Sequence, residues 1–310
     1  MNQRNAPPLF GPALGTTLIT LFFLAQGCSK TTAVPVRAAV ISAGVRADGP
    51  PLEAWENRAD LKQLSTALSL WEEAREHTPS DPALLSKLTR GYFFLGEQLL
   101  ATERPAEAAT ALEKAVEAGE HGLMGSSSTF ADAVQGGGKV ADLLHHIPVT
   151  SQGILYWYGV SLGRFASLKG FRTLLFYRDR LFAVMTRVLE IDETYFHGAP
   201  HRYFGAYYAQ APAFVGGDLA KAKHHFERAL KIAPDFLGTK VAYAEYYATK
   251  ANNPGLFKQL LSDVLSSDPG ALPKAEPEQI LARQRARTLL GLEKALFQTS
   301  AGLAETSPST

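Results

Sequence analysis

One spacing of small and bulky residues recurs along this chain, and it limits the possible folds more than any other feature. Ala222, Phe226 and Ala229 lie four and three residues apart, and Pro234 follows five residues later. At helical periodicity the first three share one face, where the alanines let a neighbouring helix approach and the phenylalanine fills the gap. Proline cannot continue a helix, so the pattern predicts a packed helix with a defined end.

Related spacings follow one another along the sequence. One copy runs from Ala67 through Trp71 and Ala74 to a proline, and another begins at Ala108. A second pattern, which pairs a ring residue with a glycine four positions later, precedes two copies. Ala, Leu, Glu and Lys dominate the chain and alternating β-branched runs are missing, so these repeats predict an all-α, tetratricopeptide-like helix-hairpin solenoid. The residues expected to pack helix on helix are Ala67, Trp71, Ala74, Tyr92, Gly96, Ala108, Ala115, Gly205, Ala222, Phe226 and Ala229.

Capping residues and glycines predict where several helices begin and end. Asp218 follows two glycines and is expected to cap a helix over Leu219–Ile232. Asp81 and Pro82 are expected to start another helix. Glycines and serines between positions 119 and 138 predict a break that separates two helical portions of the chain.

The N-terminus has the layout of an export signal. Arg4 is followed by an apolar run of twelve residues, Leu14 through Ala25, which is too short to span a bilayer as a helix. Gln-Gly and Cys28, the single cysteine, follow it, so this segment resembles a bacterial lipobox, whose cysteine is acylated. The leucine lies four residues before the cysteine rather than three. An ordinary signal peptide, or an uncleaved anchor with an incidental cysteine, is the alternative.

These features divide the chain into four parts. They are a signal peptide over residues 1–27, a lipidated N-terminus and flexible tether over 28–51, a helical domain over 52–299 and a disordered tail over 300–310. No stretch after the signal predicts a transmembrane helix, so the lipid on Cys28 is the expected membrane anchor. Ser29 rather than Asp follows the cysteine, which favours the inner face of the outer membrane in the cell envelope.

Charge and motifs exclude several classes of function. Lys and Arg number 31 against 30 Asp and Glu, so the chain lacks the basic surplus that nucleic-acid binding needs. It has no phosphate-binding glycine loop and no serine elbow, so we expect no enzyme and no cofactor. His197 and His201 have metal-binding spacing, but Gly198 and Pro200 between them argue against a helix there. A metal-dependent enzyme is therefore only a minor alternative.

Aromatic and basic residues gather in the middle of the chain. Of its 31 Phe, Trp and Tyr residues, 14 lie between Tyr156 and Tyr208. They either fill the gaps between helices or line a wet cavity, where an arginine would bind a carboxylate bidentately. The residues that we select as lining such a ligand cavity are Tyr156, Trp157, Tyr158, Arg164, Tyr195, His197, His201 and Arg202.

Seven segments carry a family resemblance. They are Leu155–Tyr158, Tyr195–His201, Gly216–Asp218, His224–Ala229, Val241–Tyr246, Phe257–Leu261 and Gln284–Leu290. Together they make the chain similar to the T-component family of TRAP transporters, the tripartite ATP-independent periplasmic transporters. The similarity extends over roughly positions 60–290.

The resemblance implies a periplasm-facing lipoprotein with cryptic tetratricopeptide helices. Such a protein works beside a periplasmic substrate-binding protein, forms a homo-oligomer and carries a pore or groove for a small ligand. The alternative function is a membrane-anchored interaction scaffold in envelope assembly, unrelated to transport. A scaffold predicts an open concave groove, whereas transport predicts an enclosed cavity lined by arginine and aromatic side chains.

Overall fold

Helices make up the architecture of this chain in the computed structural model, which describes residues 50–297. No strand occurs within that range, so the prediction of an all-α fold is confirmed. The helices are α1 (Pro50–Glu56), α2 (Leu61–His77), α3 (Pro82–Ala101), α4 (Pro105–Ser126), α5 (Ser128–Gln135), α6 (Val140–Leu143), α7 (Gln152–Lys169), α8 (Phe171–Ile191), α9 (Tyr195–Gln210), α10 (Leu219–Ile232), α11 (Leu237–Ala242), α12 (Pro254–Ser266) and α13 (Glu276–Gly291). A π-helical segment over Tyr243–Ala248 continues α11.

The predicted caps lie where the sequence places them. Asp218 accepts hydrogen bonds from the backbone N–H groups of Ala220 and Lys221 at 2.9 and 3.0 Å, and α10 covers the predicted span. Asp81 accepts from the N–H of Ala83 at 2.9 Å, with Pro82 in the first turn of α3. Each carboxylate satisfies N–H groups that have no partner inside the helix, which fixes the helix start.

Close approaches at glycines join the helices into hairpins. A Cβ atom on Gly96 of α3 would lie 2.7 Å from Cγ of Leu112 in α4. One on Gly205 of α9 would lie 2.8 Å from the ring of Phe226 in α10. Such distances leave no room for a methyl group, so glycine sets the helix separation at both places. The eleven residues expected to pack helix on helix are all buried.

Successive helices run in opposite directions. Gly159 of α7 faces Met185 of α8, and Phe182 of α8 packs against Phe204 of α9, so both pairs are antiparallel. Gly96 of α3 faces Leu112 of α4, and Gly119 and Gly122 of α4 face Tyr158 and Ile154 of α7, so α4 is antiparallel to both α3 and α7. The connections after α3, α7 and α9 therefore lie at one end of the hairpins, here called the turn end. These connections are residues 102–104, Gly170 and residues 211–218.

The break predicted from position 119 onward begins later than expected. Helix α4 continues through Gly119, Gly122 and Gly125 to Ser126. The glycines are contact positions, because a Cβ on Gly119 would lie 2.9 Å from Tyr158 of α7. Glycine costs a helix about 1 kcal/mol relative to alanine, but here it permits α7 to pack closely. The irregular region begins at Ser127 and contains α5 and α6.

Helix α13 contacts the first helices of the described region. Glu278 accepts hydrogen bonds from Arg58 and from Arg90, which come 220 and 188 residues earlier in the sequence. Arg58 also donates to the carbonyl oxygen of Lys274 at 3.1 Å. These hydrogen bonds between distant parts of the chain bring α1, α3 and α13 together.

Several sequence predictions lie outside the described residues. They concern the signal peptide over 1–27, the lipidation of Cys28, most of the tether and the C-terminal tail. Within the described range, α1 already begins at Pro50, two residues before the predicted start of the helical domain. Among the helices of residues 50–297, none has the length and hydropathy needed to cross a bilayer.

Candidate functional site

A left-handed turn begins α9 and shapes the site. Phe196, His197 and Gly198 have φ angles of 42°, 62° and 72°, with ψ between 29° and 57°. Glycine adopts this conformation readily, but for bulky residues it is costly by about 1–2 kcal/mol each. Backbone strain of this kind persists only where the surrounding structure holds it, and it concentrates at functional sites. The left-handed turn therefore makes this region a candidate functional site.

Arg202, one helical turn further along α9, holds the strained backbone. Its guanidinium donates to the carbonyl oxygen of His197 at 2.9 Å and to that of Phe196 at 3.2 Å. It also donates to Oγ1 of Thr239 at 3.3 Å and lies 4.5 Å from the ring centre of Phe236. Burial lowers the pKa of Arg202. Within the described residues, Arg202 forms no salt bridge with a carboxylate.

The left-handed turn brings aromatic rings from three parts of the chain into contact. The ring of Phe196 lies 4.9 Å from that of Trp157 and 5.6 Å from that of Phe236, both edge-on. The His197 ring stacks on Phe236 at 4.7 Å with an interplanar angle of 9°. Tyr156, Trp157, Tyr195, Phe196, His197, Phe236, Arg90 and Arg202 are here called the aromatic–arginine cluster.

Arg90 of α3 also contacts the rings of the cluster. Its guanidinium carbon lies 4.9 Å from the ring centre of Trp157 and 5.1 Å from that of Phe196. It shares Glu278 with Arg58, at N–O distances of 2.8 and 2.6 Å. Arg58 is buried, with a side chain only 4% exposed, and it touches the cluster through the ring of Trp55.

The charges in this region do not balance. Arg58, Arg90 and Arg202 contribute three guanidinium groups. Glu278 pairs with Arg58 and Arg90, and Glu56 also attracts Arg58 without forming an ion pair, so two carboxylates face three guanidinium groups. Burial and the neighbouring Arg202 lower the pKa of His197, so this imidazole is neutral at pH 7 and adds no charge. Burial raises the pKa of Tyr195 to about 12, so its hydroxyl remains protonated. The region therefore carries a positive excess in a partly dry setting, which favours an anion.

Five of the residues selected from the sequence come together here: Tyr156, Trp157, Tyr195, His197 and Arg202. Sequence reasoning missed Arg90, Phe196, Phe236 and Glu278. Phe196 lies in the family-like segment Tyr195–His201, so the sequence contained a signal that could have identified it. Arg90 and Glu278 had none, because only tertiary packing brings α3 and α13 together.

The other three selected residues lie in separate polar groups. The hydroxyl of Tyr158 donates to Glu120 at 3.2 Å, beside Arg180. Arg164 donates to Glu97 at 2.6 Å, and this carboxylate raises the pKa of the guanidinium. Both arginines have partners and satisfy buried or half-buried acids, as structural ion pairs do.

His201 is the centre of the third polar group. Its Nε2 faces Glu193 at 2.9 Å, and its Nδ1 faces Nδ1 of His225 at 2.8 Å. Arg228 also pairs with Glu193, and these contacts lower the pKa of Glu193 to about 2. The carboxylate accepts a hydrogen bond from Nε2–H of His201, and the two Nδ1 atoms share one proton between the rings. This network connects α9 to α10.

A cleft of about 570 Å³ lies apart from the cluster, where the ends of α2 and α4 meet α5. Its lining includes Arg75, His121 and Asp132. Arg75 donates to Nδ1 of His121 at 2.9 Å and pairs with Glu117 at 3.2 Å. Arg75 of this cleft thus has a carboxylate partner, in contrast to Arg202 of the aromatic–arginine cluster. No group of three metal-binding side chains is found among the described residues.

Fold and site together define an all-α, helix-hairpin protein with a cationic aromatic site and no spanning helix in the described range. The model of the family described as TRAP transporter T-component matches residues 61–297, so the chain belongs to this family. Membership of this family implies an accessory role in TRAP transport and suggests a location in the cell envelope.

One relative of this chain has been curated in Treponema pallidum (strain Nichols), where it is described as an uncharacterized protein. The two sequences are 28% identical over 144 residues. That stretch is 44% of this chain and 43% of the relative, so the chain spans less than half of the relative's length.

Proposed function

We propose that this T-component binds a small carboxylate ligand at the aromatic–arginine cluster and passes it to or from a substrate-binding protein docked on its helices. The observation that carries the proposal is the charge imbalance, with three guanidinium groups facing the carboxylates of Glu278 and Glu56. A bound carboxylate would reduce this excess, and the planar guanidinium fork matches its two oxygens. The rings of Trp157 and Phe196 beside Arg90 would hold the apolar part of the ligand.

The location proposed for this activity is the periplasmic side of the envelope. Acylation of Cys28 would hold the protein at the membrane, with the inner face of the outer membrane favoured. If Cys28→Ala still incorporates labelled fatty acid, the lipid anchor is refuted. A homo-oligomer, which would place several clusters around one passage, belongs to the same proposal, and sedimentation of the mature chain tests it.

Ligand binding is testable through tryptophan fluorescence. Two of the three tryptophans, Trp55 and Trp157, lie next to Arg90, so a ligand there should change their emission. We expect short aliphatic and aromatic carboxylates to bind and the matching amides to bind at least about tenfold more weakly, since a charge-assisted hydrogen bond contributes about 1.5–3 kcal/mol. Equal binding of acid and amide would refute the carboxylate assignment.

The variant Arg90→Gln removes one guanidinium of the cluster, and Arg172→Gln is its matched control. Arg172 is exposed on α8, away from the cluster rings. We expect Arg90→Gln to weaken carboxylate binding by about tenfold or more and Arg172→Gln to leave it unchanged. Circular dichroism of both variants establishes that the helices are retained.

Docking of a substrate-binding protein needs its own experiment. The mature chain, immobilised through its C-terminus, should retain a TRAP-type binding protein, and carboxylate ligand should change the amount retained. If no binding protein is recovered with or without ligand, the docking step is refuted and the envelope scaffold becomes the better explanation. The fluorescence titration would then be the remaining test of carboxylate binding.

A further inference from the structure

The turn end of the hairpins exposes bulky apolar side chains. Phe171 begins α8 and is 56% exposed, and Phe214 lies in the connection from α9 to α10 and is 82% exposed. Leu175 and Phe176 of α8 are also exposed. Large aromatic side chains on a surface in such number are unusual and mark a contact site.

These side chains belong to one continuous surface. Phe171, Leu175 and Phe182 are four and seven residues apart on α8, so they share a face. The ring of Phe182 packs against Tyr207 at 5.5 Å, and the Tyr207 hydroxyl donates to the carbonyl oxygen of Val215 at 3.2 Å. The face therefore continues from α8 to the connection that carries Phe214. Phe171, Leu175, Phe182 and Phe214 are here called the apolar patch.

A basic rim accompanies the apolar patch. Lys169 and Arg172 flank Phe171 and are exposed, and neither forms a salt bridge within the described part of the chain. Asp179 pairs with Arg178, and Asp218 pairs with Lys221 while capping α10. Asp179 of α8 and Asp218 of the α9–α10 connection are thus compensated, and Lys169 and Arg172 leave a positive surplus beside Phe171. Glu103 in the connection after α3 is an exposed acid without an ion pair among the residues described.

We propose that the turn end docks directly on an anionic lipid surface, with the apolar patch in the interfacial region and the basic rim on the headgroups. Exposed aromatic side chains beside Lys and Arg are the combination that binds peripheral proteins to anionic bilayers. A second copy of the chain fits less well. In a two-fold contact, Lys169 and Arg172 of one copy would face those of the other, and the like charges would repel.

The path of the chain into the helices agrees with this orientation. The side-chain amide of Gln98 in α3 donates to the carbonyl oxygen of Arg58 at 2.6 Å, so the segment entering α2 lies beside the C-terminal part of α3, toward the turn end. Cys28 precedes Pro50 by 22 residues, which extend to at most about 80 Å. A lipid on Cys28 would keep the domain near a bilayer and raise the effective concentration of headgroups around the patch.

Vesicle co-sedimentation of the chain from residue 28 onward, without the predicted signal peptide, tests the proposal. Cys28→Ala in this chain removes the predicted acylation, so binding reports on the turn end. One set of vesicles contains equal parts of phosphatidylglycerol and phosphatidylethanolamine, and the other contains phosphatidylcholine alone. We expect binding to the anionic set, and loss of about tenfold or more with Phe171→Ser combined with Phe214→Ser.

The basic rim is tested separately. Lys169→Glu combined with Arg172→Glu should weaken binding to the anionic vesicles by about 25-fold or more, since each basic residue near such a surface contributes about a fivefold factor. The matched controls are Val149→Ser, which is 60% exposed before α7 at the opposite end, and Lys139→Glu. Neither control should change binding, and all variants should keep their helical circular dichroism.

Three outcomes would overturn the proposal. The first is that Cys28→Ala does not bind anionic vesicles. The second is that the patch variants and the controls bind equally well. The third is that the patch variants bind vesicles as before but lose self-association or retention of the binding protein. The last result would assign the apolar patch to a protein partner. None of them depends on carboxylate binding, so this proposal and the proposed transport role can fail independently.

Discussion

Glu278 is the residue whose removal best tests the physical description of the site. Its carboxylate lies 2.6 Å from Arg58 and 2.8 Å from Arg90, and its side chain is only 11% exposed. The variant Glu278→Gln keeps the shape of the side chain but leaves two guanidinium groups without their carboxylate. An unpaired charge next to a buried partner is the costly case, because the desolvation of the arginines is then no longer offset.

The expected loss follows from the burial of the pair. Breaking a buried ion pair costs about 3–5 kcal/mol, and because Arg90 retains some contact with solvent we expect the lower end, about 3 kcal/mol. For a domain of this size that loss lowers Tm by roughly 6–12 °C. The measurement is urea unfolding followed by circular dichroism, with the m-value as a check that the unfolded state is unchanged.

The matched control is Glu73→Gln, which removes an exposed carboxylate from the C-terminal half of α2. It should change stability by no more than about 0.5 kcal/mol. Glu278→Gln also makes the cluster more positive, so the same variant should bind carboxylates more tightly and recover stability when they are added. A loss under about 1 kcal/mol, or one no larger than that of Glu73→Gln, would show that α13 does not neutralise Arg58 and Arg90 as described.

Three further predictions concern the backbone and the histidines. Gly198→Ala should lower stability by about 1–2 kcal/mol in urea unfolding, because its φ is 72° and the new Cβ would lie 3.2 Å from Cα of Ala229. In thermal unfolding, Gly163→Ala should raise Tm, because the new Cβ meets only Leu181 at 3.7 Å. Gly205→Ala should lower Tm, because the new Cβ overlaps the Phe226 ring at 2.8 Å. A rise in Tm for both variants would contradict the described packing. Burial, with His201 nearby, lowers the pKa of His225 from 6.5 to about 4, so the contribution of this residue to stability is largest above pH 6.5 and is lost as pH falls toward 4. His225→Phe should flatten this part of the stability–pH curve, and an unchanged slope would assign the protons to other groups.

The sequence alone determined the helices of this protein and the faces through which they pack. Periodic alanines, Asp218 and Asp81 specify helices and their starts because these signals act within one or two helical turns. Gly119 predicted a break in the helix, and this was wrong, because α4 continues through it. Glycine occupies this position because α7 packs closely against it. Family-like segments around Tyr156 and Tyr195 also indicated the aromatic part of the site.

Only the tertiary structure decided which charges meet. Arg90 and Glu278 are 188 residues apart, and nothing in the local sequence of either one predicts the other. Their contact depends on the accumulated directions of all the helices between them, which are set by many small packing choices. The left-handed turn at Phe196 has the same origin, since Arg202 and the surrounding rings hold a backbone that its own residues disfavour. Local chemistry therefore specified the helices, and long-range packing produced the cationic site between them.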